Sequence, residues 1–152
     1  MEDKGYKGKE EVKELKATKA LTIRFSEVDS MQVVWHGSYV TYFEDAREYF
    51  GELFGLSYNL YIDNDYFAPI VDLSIQYKKA IRYGMKPVIT IIYRPTVAAK
   101  IIFDYEIVDS ADGSLIATGR SVQVFMNKDF ELVWTNPEFY LAWKKQHGIQ
   151  DS

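Results

Sequence analysis

A chain of 152 residues with 47% hydrophobic side chains carries enough apolar surface for one domain with a core, and too little length for two. Eighteen Lys and Arg against 22 Asp and Glu leave a net charge of −4, which gives no general attraction to a phosphate backbone or an anionic membrane and argues against nucleic acid and membrane partners. With no cysteine there is no disulfide, thiolate metal site or cysteine nucleophile, and two histidines are too few for a zinc site.

Residues 1–16, with Lys4, Lys7, Lys9, Glu10, Glu11, Lys13 and Glu14, lack apolar periodicity and read as a charged tail ahead of a single domain over 17–152. They also lack the apolar centre of a signal peptide, and no later run has the length to cross a bilayer. A soluble protein is expected, and a cytoplasmic location fits. From Thr18 to Phe25, the residues Leu21, Ile23 and Phe25 alternate with Thr22 and Arg24, the period of a half-buried strand.

From Tyr39 the apolar residues Tyr39, Phe43, Ala46, Phe50 and Leu53 recur at helical spacing, while Glu44, Asp45, Arg47, Glu48 and Glu52 fill the other face. This predicts a helix of roughly four turns. Gly37 and Ser38 stand where its cap should be, and Gly55 where it should stop. A polar, aromatic loop is expected over Ser57 to Asp65.

Four apolar runs follow, Phe67 to Lys79, Val88 to Thr96, Lys100 to Asp109 and Leu115 to Asn127, each rich in Val, Ile, Tyr or Phe. The segment Ser110-Ala111-Asp112-Gly113 between the last two is a strong hairpin turn, and the other connections are short enough to predict antiparallel neighbours. A short helix from Pro137 to Gln146 closes the chain. The order describes an α+β domain, a curved antiparallel sheet of about five strands wrapped around one long helix. Such a sheet covers part of its own apolar surface only, so a homodimer is expected, with a tetramer of paired dimers as a further step. Twelve Tyr and nine Phe exceed the needs of a small core and point either to an aromatic-rich interior or to a subunit interface or ligand tunnel.

The chemistry concentrates between strand and helix. Asp29 ends the first strand and precedes the apolar run from Met31 to Trp35, whose dry neighbourhood would make a carboxylate a better base. His36 sits just before the helix, where its imidazole either serves as acid or base or orders the loop. Backbone N–H groups around His36, Gly37 and Ser38 lack helical partners and can face a carbonyl oxygen that gains charge in acyl transfer, and Gly37 would let that oxygen come close. Lys78, Lys79, Arg82 and Lys86 surround one turn, where they either hold phosphates at a rim or protect a sheet edge. Asp45, Glu44 and Glu48 read as a solvated face. No Gly-rich phosphate loop and no Gly-x-Ser-x-Gly elbow occurs.

The run Arg24-Phe25-Ser26-Glu27-Val28-Asp29-Ser30-Met31-Gln32-Val33-Val34-Trp35-His36-Gly37-Ser38-Tyr39, continued by Phe43-Glu44-Asp45-Ala46-Arg47-Glu48, resembles the signature of the 4-hydroxybenzoyl-CoA thioesterase-like acyl-CoA thioesterases, which have the hotdog fold. Ile75 to Gly84 is similar to the family's second strand and basic turn, and Ala117-Thr118-Gly119-Arg120 to its last strand. The resemblance covers roughly Ala20 to Asn127. It implies thioester hydrolysis of an acyl-CoA, with no cofactor because CoA is part of the substrate. Asp29 corresponds to the catalytic carboxylate and the backbone amide of His36 to the group that polarises the thioester carbonyl; Asp29 would act as base or nucleophile, and the amides near His36 and Gly37 would stabilise the oxyanion. Trp35, Tyr39 and Phe43 would contact the acyl group, and Lys79 and Arg82 the CoA phosphates. Gln32 stands where Gly is usual, Ala80 where Pro is usual and Met85 where an acid often follows; Gln32 is expected to force the loop beside Asp29 onto another path. A non-catalytic acyl-CoA or acyl-carrier-protein binding module of the same fold is the alternative. A hotdog hydratase would need a Gly-Asp-x-Asn-type motif, which is missing.

Overall fold

The computed structural model of the chain describes residues 14–149. In order they form β1 (Lys16–Ala20), a 3-10 turn at Phe25–Glu27, α1 (Ser38–Phe54), α2 (Tyr58–Asp63), β2 (Tyr66–Phe67), β3 (Ile70–Tyr77), β4 (Pro87–Arg94), β5 (Lys100–Asp109), β6 (Leu115–Asn127), β7 (Leu132–Val133) and α3 (Glu138–Gln146). Most of the expected charged tail, residues 1–13, lies outside the described residues. Its end does not, because Lys16 already pairs with Ile92 in β1.

The main strands pair antiparallel in the order β1-β4-β5-β6-β3, and the short β2 and β7 extend the pairing of β6. One face of this sheet carries Ile89, Ile91 and Tyr93 of β4, Ile101, Phe103, Tyr105 and Ile107 of β5, and Ala117 and Ser121 of β6, all buried. Against it lie Tyr39, Tyr42, Phe43, Ala46 and Phe50 of α1. Helical spacing on one element and strand alternation on the other thus aim their apolar residues into one layer, where each fully buried Phe contributes about 2–3 kcal/mol. Phe43 shows how tight the layer is. Its ring stacks on Tyr105 with centroids 4.1 Å apart and planes within 2°. A Cβ at position 119 would lie 2.3 Å from that ring and 2.9 Å from the Ser74 carbonyl, so Gly119 is the residue that lets the helix settle on the sheet.

The first strand departs from expectation. Pairing stops at Ala20 opposite Val88, with one further bond from the Leu21 amide to Pro87 at 2.9 Å, because β4 offers no partner beyond Pro87. Leu21 and Ile23 still pack inward, but Phe25 is exposed at the 3-10 turn. The predicted strand over Phe67 to Lys79 is interrupted at Ala68-Pro69, where proline has no N–H to give and the Gln123 side chain donates to the Ala68 carbonyl at 2.8 Å. The expected loop after α1 contains α2 instead. Ser57 caps it, its Oγ accepting the Leu60 amide at 3.3 Å, and Tyr61 anchors it in the core.

The short link between β3 and β4 does not make them neighbours. β3 pairs with β6 at one side of the sheet while β4 pairs with β1 and β5, so residues 78–86 cross from one to the other. That crossing is held by the loop ahead of α1, through Val34 N to Ile81 O at 2.7 Å and a bridge between Val33 and Arg82. At the far end α3 follows Pro137 and turns Tyr140 and Trp143 inward. The Trp143 indole donates to the Phe54 carbonyl at 2.7 Å, and the Tyr140 and Tyr93 hydroxyls are hydrogen-bonded to each other. Among the described residues no helix is long and apolar enough to cross a membrane.

Candidate active site

Asp29 sits at the tip of a small hairpin between the bridged residues Val28 and Val34. Its amide donates to the Val33 carbonyl at 2.9 Å, its carbonyl accepts the Gln32 amide at 3.0 Å, and its Oδ1 accepts the Met31 amide at 2.8 Å. This is a three-residue hairpin loop, which requires a left-handed residue at its close. Gln32 is that residue, at φ 65°. The expectation that Gln32 would divert the loop is therefore corrected: the side chain accepts the conformation that glycine usually takes there, because the hydrogen bonds of the turn outweigh a modest backbone strain. The expected dry surroundings are corrected as well. Ser30, Met31 and Gln32 are all exposed and Asp29 is half-buried, since a tight turn projects its central side chains outward.

The hairpin is tied to α1 through Glu27. Its Oε1 accepts both the Arg24 amide at 2.7 Å and the Tyr42 hydroxyl at 3.1 Å, while its carbonyl accepts the Trp35 amide at 2.8 Å. Burial and the Glu27 carboxylate push the Tyr42 phenol well up, so it stays a donor. Glu27 thus joins the Asp29 loop to the first turns of the helix.

At the helix start, Gly37 is the N-cap residue in helical conformation and no side chain caps it. The Ser38 amide donates to Trp35 at 2.9 Å, Tyr39 to His36 at 3.4 Å and Val40 to Gly37 at 3.3 Å. The amides of His36 and Gly37 have no acceptor among the described residues. Two of the three amides named from the sequence are thus open at the positive end of a 17-residue helix, and the third is engaged. The space left by the missing Cβ of Gly37 is occupied: the Trp35 indole lies against it, and a Cβ there would come within 2.1 Å of that ring. Glycine here makes room for Trp35 and not for a ligand oxygen.

The side chains expected around the substrate divide between surface and core. Trp35 is exposed, with its ring 5.1 Å from the His36 imidazole, which is also exposed. Tyr39 is buried, its ring 4.8 Å from that of Tyr77, and burial raises its phenol pKa, with Tyr77 adding to the effect. Phe43 is enclosed in the core by Tyr105 and Gly119. The Tyr and Phe residues along α1 are largely interior, which favours the aromatic-rich core over a tunnel beside the helix. Lys79 donates to Ser114 Oγ at 2.9 Å and lies 3.6 Å from Asp109 and 3.7 Å from Asp112, so the β5–β6 turn holds it. Arg82 and Lys78 are exposed.

A cleft of about 340 Å³ opens beside the helix start, lined by Val34, His36, Tyr39, Tyr77, Lys78 and Lys79. It runs from His36, beside the open amides, to Lys78 and Lys79 of the basic turn. A second, larger groove of about 1040 Å³ follows the acidic side of α1, between Glu44, Glu48 and Glu52 and the segment Phe67 to Ile70. Tyr77 was not among the sequence candidates, although its hydroxyl donates to the His36 carbonyl at 2.9 Å. Its place as the last residue of a strand directly before the basic turn was the available signal. No three His, Asp or Glu side chains gather as a metal site among the described residues.

Comparison with known proteins bears on the family and the fold. The model of the thioesterase-like superfamily matches residues 23–143, from before the Asp29 hairpin into α3. The crystal structure of a DHNA-CoA thioesterase from Staphylococcus aureus is 27% identical and superposes with a TM-score of 0.76, covering 88% of this chain and 91% of that one. A 1,4-dihydroxy-2-naphthoyl-CoA thioesterase from Synechocystis gives a TM-score of 0.75 at 18% identity over 84% of this chain and 94% of its own, a likeness of fold alone. Bacillus subtilis YneP, provisionally assigned as an acyl-CoA thioesterase, is 25% identical over 131 residues, 84% of this chain and 94% of its own. With a family match over most of its length and the sheet-and-helix architecture to accompany it, the chain belongs to the thioesterase-like superfamily, the hotdog-fold thioester hydrolases.

Proposed function

We propose that this chain hydrolyses an acyl-CoA thioester to a free acid and CoA, with Asp29 as the reacting carboxylate and the amides of His36 and Gly37 as oxyanion donors. The observation that carries the reading is the pair of open amides at the start of α1, seven and eight residues after Asp29 and tied to its hairpin by Glu27. In one route Asp29 takes a proton from water as the oxygen bonds to the acyl carbon, and the C–S bond then breaks to release CoA thiolate, which takes up that proton. In the other the Asp29 carboxylate attacks the acyl carbon, the C–S bond breaks to release CoA thiolate, and water opens the resulting anhydride to the free acid, restoring Asp29 and supplying the thiolate's proton. Both place negative charge on the carbonyl oxygen, where preorganised N–H donors are worth roughly 3 kcal/mol each.

Trp35 and Tyr39 border the acyl group in this reading, and Lys78, with Lys79 in its ion pairs, faces the CoA phosphates across the cleft of about 340 Å³, the exposed Arg82 lying outside its lining. A homodimer belongs to the same proposal, with paired dimers as its extension: β3 is a sheet edge on which Ile70, Val71 and Tyr77 are exposed. The cysteine-free composition suits a reducing cytoplasm. The alternative of a binding module without turnover drew on Gln32 diverting the Asp29 loop, and with Gln32 at φ 65° it loses its motive.

The test is Asp29→Asn, assayed for CoA release across a panel of acyl-CoAs, with circular dichroism to follow the fold. A loss of about a hundredfold or more in kcat with an unchanged spectrum is expected. Undiminished turnover would remove Asp29 from the mechanism.

A further inference from the structure

The peptide unit that joins His36 to Gly37 is engaged on one side and open on the other. Its carbonyl accepts the Tyr77 hydroxyl at 2.9 Å and, more weakly, the Tyr39 amide at 3.4 Å. Its N–H is the Gly37 amide, which has no acceptor among the described residues. In a planar trans peptide the C=O and N–H point in opposite directions, so a donor that fixes the carbonyl also fixes where the N–H aims. A hydrogen bond to the carbonyl further polarises the amide and makes its N–H a stronger donor.

Tyr77 reaches this peptide from the end of β3, 41 positions along the chain. Its ring is set by edge contacts to Tyr39, 4.8 Å away, and to His36, 6.4 Å away. Although its ring is partly exposed, partial desolvation raises the Tyr77 phenol pKa. The bond therefore links the sheet to one of the two peptides whose N–H groups the proposed mechanism uses.

We propose that Tyr77 is a positioning residue for thioester hydrolysis: through the His36 carbonyl, its hydroxyl aims the Gly37 N–H at the thioester oxygen and strengthens it as charge builds there. The inference rests on the reading of Gly37 as an oxyanion donor. It differs from a structural staple between β3 and α1 in what it does to the kinetics, because a donor that matters most in the transition state changes kcat and leaves KM nearly alone.

Tyr77→Phe removes the hydroxyl and keeps the ring contacts. Steady-state hydrolysis of an acyl-CoA should show kcat reduced by about tenfold, less than the loss of an oxyanion donor itself, with KM within about twofold. The melting temperature should hardly move. 3-Fluorotyrosine at position 77, which restores the hydroxyl, should restore kcat. An unchanged kcat in Tyr77→Phe would overturn the proposal, and so would a loss that tracks a fall in melting temperature or that fluorotyrosine does not rescue. Asp29→Asn measured alongside separates the two readings: if it is inactive while Tyr77→Phe is normal, only the role of Tyr77 fails, and if it is fully active, the mechanism beneath both fails.

Discussion

Gln32 holds a left-handed backbone in the turn that carries Asp29, and a side chain there costs about 1 kcal/mol where glycine costs little. Gln32→Gly removes that strain but adds freedom to the unfolded chain, so a net gain of about 0.5 kcal/mol is expected, seen as a rise of roughly 1–2 °C in thermal unfolding. A lowered melting temperature would show that the Gln32 side chain contributes stability of its own. The sequence marked this position through the residue it lacks, since Gly is usual there. It did not reveal that Gln would adopt the same path, because the outcome is a contest between turn hydrogen bonds and backbone strain that no local pattern encodes. Tyr77 was hidden for a different reason. Its partner is the backbone carbonyl of His36, which every residue possesses, so the sequence marks Tyr77 as a strand end and the structure shows what its hydroxyl touches.

At the level of elements, legibility followed position in the sheet. The expected bounds of β5 and β6, Lys100–Asp109 and Leu115–Asn127, are those observed, because both strands have partners on each side and a hairpin turn closed by Gly113 N to Asp109 O at 2.7 Å. β1, at an edge, ends where its only partner ends, and that end is written in β4. The crossing of residues 78–86 was misread because a short link fits either a hairpin or a passage across the sheet end. Across the central strands, Asp104 of β5 receives Arg120 of β6 at 2.6 and 3.0 Å and Arg94 of β4 at 2.8 Å. The Arg120 hydrogen bonds foremost, then that of Arg94, hold the Asp104 carboxyl below its ordinary range against the opposing effect of burial. A carboxyl depressed in the folded state stabilises fully above its unfolded pKa of about 3.9 and loses that contribution as the pH falls through the lower folded value. Asp104→Asn should thus destabilise by about 1 kcal/mol at pH 7, with the gap to wild type narrowing below about pH 4 in denaturant unfolding. A gap independent of pH would mean that the carboxylate charge is not what joins the strands.

For the whole molecule, the open edge of β3 and the aromatic interior set the terms of assembly. A sheet edge bearing Ile70, Val71 and Tyr77 is costly to leave in water, so light scattering should give a mass of at least twice the 17.7 kDa chain. A monomer at micromolar concentration would refute the dimer. The α+β order, the single long helix and the sheet around it were readable from periodicity alone, because 3.6-residue and 2-residue spacings dictate which faces must meet. The division of aromatic residues between core and surface was not, since Phe43 and Trp35 look alike in composition and differ only in what packs on them.

With Phe43, Phe50, Tyr93, Phe103 and Tyr105 filling the layer between α1 and the sheet, the proposed site lies at the perimeter of that layer: the Asp29 hairpin, the first turn of α1 and the end of β3. Substrate choice and folding are then nearly separate traits: on the proposed reading, substitutions at the exposed Trp35, Lys78 or Arg82 would reshape what is recognised with little cost to the interior.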